Sequence, residues 1–257
     1  MKYLLYPLRL LYVLYAFVLF LFVMMLIFPF VIIASFFGSI KGGNWVYALC
    51  RIWSDTWLFF IGVRHQKVEE QPVDPNRNYI FVFNHISYLD VPQLVKAVRQ
   101  HMRALGKIEM VQYPVFGFIY KVAVVTVNRS DAEHRAESIK KLKSVLARGI
   151  SIALAPEGTF NMKPVPLARF YDGAFRISIE TQTPIKPLLF LDTYDLMHYR
   201  NLFTLQPGTL RTVYLEEVSP IGYSMETLED YKQHVYQLME RKLLEYKASW
   251  IHLQDHA

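Results

Sequence analysis

"YIFVFNHISYLD", residues 79–90, is the stretch on which the fold turns. Its first five residues, Tyr79 to Phe83, are apolar without a break and rich in aromatic and β-branched side chains. A half-exposed strand or surface helix interleaves polar residues at a fixed period, so a short uninterrupted run implies a strand covered on both faces. Asn84 and His85 mark the strand's end. Ser87, with Asp90 three positions on, has the spacing of a helix-capping box. A buried strand that passes at once into a helix start is a building unit of a parallel α/β sheet.

Short apolar, β-branched runs recur outward from this point, the middle ones apolar on successive residues. They are "VAVVTV" (122–127), "ISIALA" (150–155), "PIKPLLFL" (184–191) and "LRTVYLEEV" (210–218). Between them, "SDAEHRAESIKKLKSVLARG" (130–149) reads as a helix, with Ser130 or Asp131 as its cap and Gly149 as its end. Ile139, Leu142, Val145 and Leu146 form its apolar stripe. A long final helix is expected from near Ser224 through Leu228, Tyr231, Val235 and Leu238. Strands alternating with helices predict an α/β fold with a mostly parallel sheet flanked by helices. In such sheets the site gathers beyond the carboxyl ends of the strands. That rule brings together "NHISYLD" (84–90), "NRS" (128–130) and "APEGT" (155–159).

Upstream the character changes. No charged residue occurs from Leu10 to Phe37, in a chain that is 53% hydrophobic. As one helix this run is about 42 Å long at ~1.5 Å per residue, against a hydrocarbon core of about 30 Å. It either spans with tilt or bends at Pro29 into pieces that dip in and return. It is too long for a signal peptide and lacks a small-residue cleavage site. A second segment, Trp45 to Val63, carries Arg51 and Asp55 among its aromatics. It reads equally as a helix at headgroup level or as one packed on the globular part. Residues 1–65 hold Lys2, Arg9, Lys41, Arg51 and Arg64 against Asp55, so +4 of the chain's net +6 sits beside the apolar segments. That placement suits an anionic membrane surface and excludes the dense basic stripe of a nucleic-acid binder. "EEQPVDPNRN" (69–78) reads as a link. The expected division is therefore residues 1–65 as membrane anchor and interfacial helix, and 66–257 as the globular domain. The single cysteine, Cys50, permits neither an internal disulfide nor a cysteine metal site.

His85 and Asp90 are the chemical question. Residues five apart do not share a helix face, so His85 must precede the helix and fold back over its first turn. Asp90 then accepts a hydrogen bond from one ring nitrogen and leaves the other as a base. The capping box accounts for Ser87 and in part for Asp90, but not for Asn84 or His85. No G-x-S-x-G elbow is present and Cys50 belongs to the apolar segments. The nucleophile implied is a hydroxyl on the substrate.

These motifs resemble those of the glycerophospholipid acyltransferases, the family of 1-acylglycerol-3-phosphate acyltransferase. Its H-x-x-x-x-D is matched by His85 and Asp90. A second block is matched by "GKIEMVQYPVFGFIYKVAVVTVNRS", with Lys107, Pro114, Gly117 and Arg129 at the family's lysine, proline, glycine and closing arginine. A third is matched by Pro156, Glu157, Gly158 and Thr159, and a fourth by "TPIKPLLF" (183–190). Four blocks in order over residues 79–191 are far more specific than any one. The resemblance implies a membrane-bound enzyme of phospholipid biosynthesis, with its site at the cytoplasmic face. His85 would be base and Asp90 its orienter. Arg129, Lys107, Glu157, Gly158 and Thr159 would bind the acceptor. Acyl-CoA or acyl carrier protein would supply the thioester, with no metal or resident cofactor. Its partners would be the bilayer and a lysophospholipid, most directly 1-acylglycerol-3-phosphate.

Two departures bear on the acceptor. The family often has arginine after P-E-G-T, where this chain has Phe160, and a basic residue before the glycine matching Gly173, where it has Tyr171 and Asp172. Both remove cations, which leaves open the same transfer to another lyso-lipid, such as a lyso-aminolipid without a phosphate. A non-catalytic lipid-binding membrane protein is the reading from another class. Intact His85, Asp90 and "PEGT" oppose it. Asn128–Arg129–Ser130 matches a glycosylation sequon, which a cytosolic position beside the site would leave unused.

Overall fold

The computed structural model describes residues 2–251, with side chains from Pro7 onward. The side chain of Lys2, counted in the N-terminal charge, lies outside the described residues. The chain begins with α1 (Lys2–Ser35), turns through a π-helical segment (Gly38–Gly42) and returns as α2 (Gly43–Phe60). There follow β1 (Val63–Glu69), β2 (Ile80–Phe83), α3 (Asp90–Ala97), β3 (Met102–Lys107), α4 (Phe116–Ala123), β4 (Val124–Val127) and α5 (Ala132–Leu146). Then come β5 (Ser151–Leu154), α6 (Gly173–Thr181), β6 (Ile185–Phe190), the short α7 (Thr193–Leu196), β7 (Gly208–Tyr214) and α8 (Leu228–Glu245).

The strands form one seven-stranded sheet in the order β1-β7-β6-β2-β5-β3-β4. Every pairing is parallel except β6 with β7, so β7 and β1 run against the other five. The uninterrupted run at 80–83 serves both faces, as expected of a strand whose side chains alternate. Ile80 and Val82 pack in the cluster of Leu142, Phe175, Tyr231 and Val235, contributed by α5, α6 and α8. Phe81 and Phe83 pack in the cluster of Tyr47, Leu94 and Val98, from α2 and the α3 region. The α5 cap is Asp131, whose carboxylate accepts from the N–H groups of Glu133 and His134. Ser130 instead closes a small turn with Asn128.

Several boundaries differ from the sequence reading. Val122 and Ala123 end α4 rather than opening β4. β1 and β3 form where no strand was expected, and β1 lies across residue 65. Pro29 sits inside α1 without dividing it. The final helix starts at Leu228, after a run of turns from Ile221.

α1 and α2 are antiparallel. Tyr12 donates to the carbonyl of Ile61, Trp57 to that of Ala16 and Trp53 to that of Phe20. Only one stripe of α1 is covered by protein, through Ala16, Val23, Met24, Ile27, Val31 and Ala34, the three- and four-residue spacing of a packed helix face. The remaining faces expose Leu11, Phe17, Phe22, Met25, Phe30 and Ile33. α2 is fastened to the globular part. Tyr47 donates to Val98 O, Ser54 to Pro92 O and Arg51 to Arg99 O, while Asp55 pairs with Lys96 and Arg99.

Candidate active site

The parallel strands β2, β5, β3 and β4 release their chains on the same edge of the sheet. Asn84 is buried at the end of β2, where its amide donates to Phe190 O (2.9 Å) and accepts from Phe190 N–H (2.8 Å). This side chain reproduces a ladder pair, joining β2 to β6 one residue beyond their last paired strand position. It is the structural task that the capping box left unexplained.

His85 follows, held by its backbone as well as its ring. Its Nδ1 lies 2.8 Å from Asp90 Oδ2. The same oxygen accepts the N–H groups of Ile86 (2.7 Å) and Ser87 (2.9 Å). Asp90 is fully buried, whereas the His85 side chain is 21% exposed. In the neutral imidazole, Nδ1 donating to the carboxylate leaves Nε2 as the acceptor nitrogen, and Nε2 has no protein partner among the described residues. The turn that folds His85 back rests on Ser87, whose hydroxyl accepts from Leu89 N–H and donates to Met197 O (2.6 Å).

The loop after β5 reaches this turn directly. Glu157 is buried, and its two carboxylate oxygens accept the N–H of His85 (2.9 Å) and of Ala168 (2.7 Å). Burial raises the Glu157 carboxyl to about 8; the two backbone N–H donors pull it down and nearby Asp90 pushes it up. Asn161 N–H donates to His85 O (2.7 Å). The loop thus holds both backbone polar groups of His85. Gly158 adopts φ +70°, and a Cβ there would meet the Tyr171 ring at 2.9 Å, so the turn requires glycine on two counts. Thr159 is exposed beside it. Phe160 lies against His85, with ring centroids 4.4 Å apart.

Lys107 ends β3 and pairs in register with Val127 of β4, and Arg129 follows two residues later. Both side chains are exposed, and neither makes a salt bridge among the described residues. Arg129 follows β4 at the carboxyl edge of the sheet, the edge on which the 156–160 loop leaves β5. Between Lys107 and Arg129 the chain makes a tight turn at Val115 (φ 60°, ψ −62°), closed by Phe116 N–H to Pro114 O. That conformation costs a β-branched residue on the order of 1–3 kcal/mol.

A family model described as Acyltransferase matches residues 63–191, half of the chain. The chain belongs to the acyltransferase family. A 1-acyl-sn-glycerol-3-phosphate acyltransferase of Cocos nucifera is 26% identical over 165 residues, covering 63% of this chain and 53% of that protein. One from Haemophilus influenzae is 26% identical over 193 residues, covering 73% and 77%. The chain spans about half the length of the Cocos nucifera and Brassica napus relatives it matches. The crystal structure of the 1-acyl-sn-glycerophosphate (LPA) acyltransferase PlsC from Thermotoga maritima superposes with a TM-score of 0.70 at 26% identity, over 95% of this chain and all of that one. The family resemblance and the α/β fold drawn from the motifs are both borne out.

Within this acyltransferase-family fold, His85 and Asp90 come together as the five-residue spacing implied. Lys107, Arg129, Gly158 and Thr159 reach the same edge of the sheet. Glu157 faces inward and secures the His85 turn. The contacts that sequence reasoning missed are those of Asn84, Phe160 and Asn161. They join residues 75 or more positions apart and leave no local signal.

Proposed function

We propose that the protein is a membrane-bound O-acyltransferase that moves a fatty acyl group from an acyl thioester to the hydroxyl of a lysophospholipid, with 1-acylglycerol-3-phosphate as acceptor and phosphatidate as product. The observation that carries this reading is the His85–Asp90 pair at the carboxyl edge of the sheet, with Nε2 free of any hydrogen-bond partner among the described residues. In the reaction, His85 Nε2 removes the proton of the acceptor hydroxyl as its oxygen attacks the thioester carbonyl. Asp90 holds the Nδ1–H tautomer and stabilises the imidazolium that forms. Collapse of the tetrahedral intermediate breaks the carbon–sulfur bond, and the imidazolium returns its proton to the departing thiolate. The donor, acyl-CoA or acyl carrier protein, and the acceptor are co-substrates. The chemistry calls on no metal or resident cofactor.

Arg129 and Lys107, two cations without ion-pair partners among the described residues, at or just beyond neighbouring strand ends, are the proposed contacts for the acceptor's phosphate, with Gly158 and Thr159 on the loop after β5. Glu157 keeps that loop and the His85 turn in register. The exposed apolar faces of α1 support membrane attachment. A helix apolar all round, with one stripe covered, needs another apolar phase for the rest. α1 lies along the globular part, from Arg9, which donates to Thr204 O, to Phe28, which packs on Phe118. This favours a hairpin embedded beside the domain in one leaflet over a helix projecting straight away from it, and the cytoplasmic face is assigned to that leaflet on the family resemblance alone.

Phe160 favours one second reading, the same transfer to a lyso-lipid without a phosphate, because an aromatic ring occupies a place beside the base where a cation would serve an anionic headgroup. Purified membranes supplied with a labelled acyl thioester and competing lyso-acceptors test both. Transfer to lysophosphatidate is expected. A strong preference for a lyso-aminolipid would replace the acceptor, and no transfer to any lyso-lipid would overturn the reading.

A further inference from the structure

The bond from His85 Nδ1 to Asp90, together with the covalent tether at Cβ, leaves the imidazole only the rocking in χ1 and χ2 that bends or breaks that bond. Something else must limit that rocking. The loop after β5 runs alongside His85, since Glu157 accepts its N–H and Asn161 donates to its carbonyl. The residue it thereby delivers to the ring is Phe160. The two ring centroids are 4.4 Å apart with planes inclined at 58°. Phe160 is itself held. Tyr88, on the His85 turn, meets it edge-on at 4.9 Å, and Tyr199 lies at 6.4 Å with its hydroxyl donating to Met162 O. Phe83, the last residue of β2, contacts the imidazole edge-on at 6.0 Å. The imidazole thus meets two rings, Phe83 from the strand before it and Phe160 from the loop after β5, and Phe160 is backed in turn by Tyr88 and Tyr199.

We infer that Phe160 is a positioning residue for His85: its ring limits that rocking, so that Nδ1 stays on Asp90 and Nε2 stays aimed at the acceptor hydroxyl. The inference rests on the reading of His85 as the base, and it gives Phe160 a role separate from any contact with the acceptor headgroup. Aromatic side chains suit this task because they present a large rigid face at a defined angle. A branched aliphatic residue in the same place would fill part of the volume without defining the angle.

Two measurements on the full-length protein in detergent test it. The first is steady-state transfer by Phe160→Leu and Phe160→Tyr. Phe160→Leu is expected to lower kcat by about tenfold to a hundredfold, the range that a small misplacement of a reacting group produces, with KM for both co-substrates nearly unchanged. Phe160→Tyr, which keeps the ring, should recover most of the loss. A raised acceptor KM with kcat intact would make Phe160 a substrate contact, and wild-type kinetics in Phe160→Leu would make it a filler. Either result overturns the inference. The second is NMR of histidine-labelled protein, with the His85 signals identified by their loss in His85→Gln. Wild type is expected to show a ring-current shift and the single Nδ1–H tautomer, and Phe160→Leu to lose the shift and populate both tautomers. This arm needs no turnover. If wild type proved inactive on every lyso-lipid, the functional reading would fall, and His85 signals insensitive to Phe160→Leu would separately overturn the positioning role. Should Phe160→Leu fail to fold, Phe160→Met removes the ring with an unbranched chain and is read in the same way.

Discussion

Glu157→Gln isolates what the buried carboxyl does for the His85 turn. In the wild type both Glu157 oxygens accept backbone N–H groups, from His85 at 2.9 Å and Ala168 at 2.7 Å. A glutamine side chain has one oxygen, so whichever way it turns, its NH2 group faces an N–H donor and one buried bond is lost. Leaving a buried donor unpaired costs about 1–3 kcal/mol. The pH dependence carries a second, opposing effect. Burial raises the Glu157 carboxyl from the ordinary 4.5 to about 8, so between those values the folded chain holds a proton that the unfolded chain has released. The stability associated with this group is fully present below pH 4.5 and is lost as pH rises through 8. At about 1.4 kcal/mol per tenfold step in proton affinity, the loss across that window is on the order of 4–5 kcal/mol. Glutamine does not titrate and removes this slope. Denaturant unfolding in detergent should therefore find the variant less stable than wild type at pH 5, with the gap closing or reversing by pH 8.5. Acyl transfer should fall at every pH because the His85 turn loosens. Parallel stability curves for the two proteins from pH 5 to 8.5 would refute the argument.

Three further outcomes follow from the site and its surroundings. His85→Ala should abolish transfer, and Asp90→Asn should lower kcat by about 10²–10⁴-fold, with far-UV circular dichroism unchanged; near-normal turnover by folded His85→Ala would remove the mechanism. Arg129→Ala should raise KM for a phosphate-bearing acceptor more than KM for the acyl donor, by about tenfold to a hundredfold if a charge-assisted bond of roughly 1.5–3 kcal/mol is lost; an equal effect on both would place Arg129 elsewhere. The protein should stay with membranes through a high-salt wash and leave them in detergent, because apolar burial is not screened by ions; recovery in the salt-washed soluble fraction would count against the anchor.

The strands legible in the sequence were those whose two faces are both covered. β2, β5 and β6 are buried at every position; β2 and β5 appear as nearly unbroken apolar runs, and β6 is apolar apart from Lys186. β1 is an edge strand, paired only with β7, and "VRHQKVE" keeps most of its side chains in water, so nothing apolar announces it. β3 was hidden for another reason. Arg103 is 3% exposed within it, with its guanidinium donating to the carbonyls of Met102, Ser39 and Ile40 and to the Asn44 side chain. A charged residue in a short strand reads as surface until the carbonyls of the α1–α2 turn are known to surround it. His85 and Asp90 were legible because their partnership is local. The partnership of His85 with residues 157–161 depends on β5 lying next to β2, a pairing that no single stretch encodes.

The covered stripe of α1 has a consequence for how the protein can be handled. Ala16 on α1 and Trp57, Leu58 and Ile61 at the end of α2 share one apolar cluster with Leu89, the residue before Asp90, and with Met197, whose carbonyl receives the Ser87 hydroxyl. The apolar hairpin is thus also the floor beneath the His85–Asp90 turn. Trimming it away to obtain a freely soluble enzyme would strip the backing from Leu89 and unseat the aspartate beside it. Solubility in this chain has to come from repainting the outward side of α1 with polar residues while its inward stripe is left untouched.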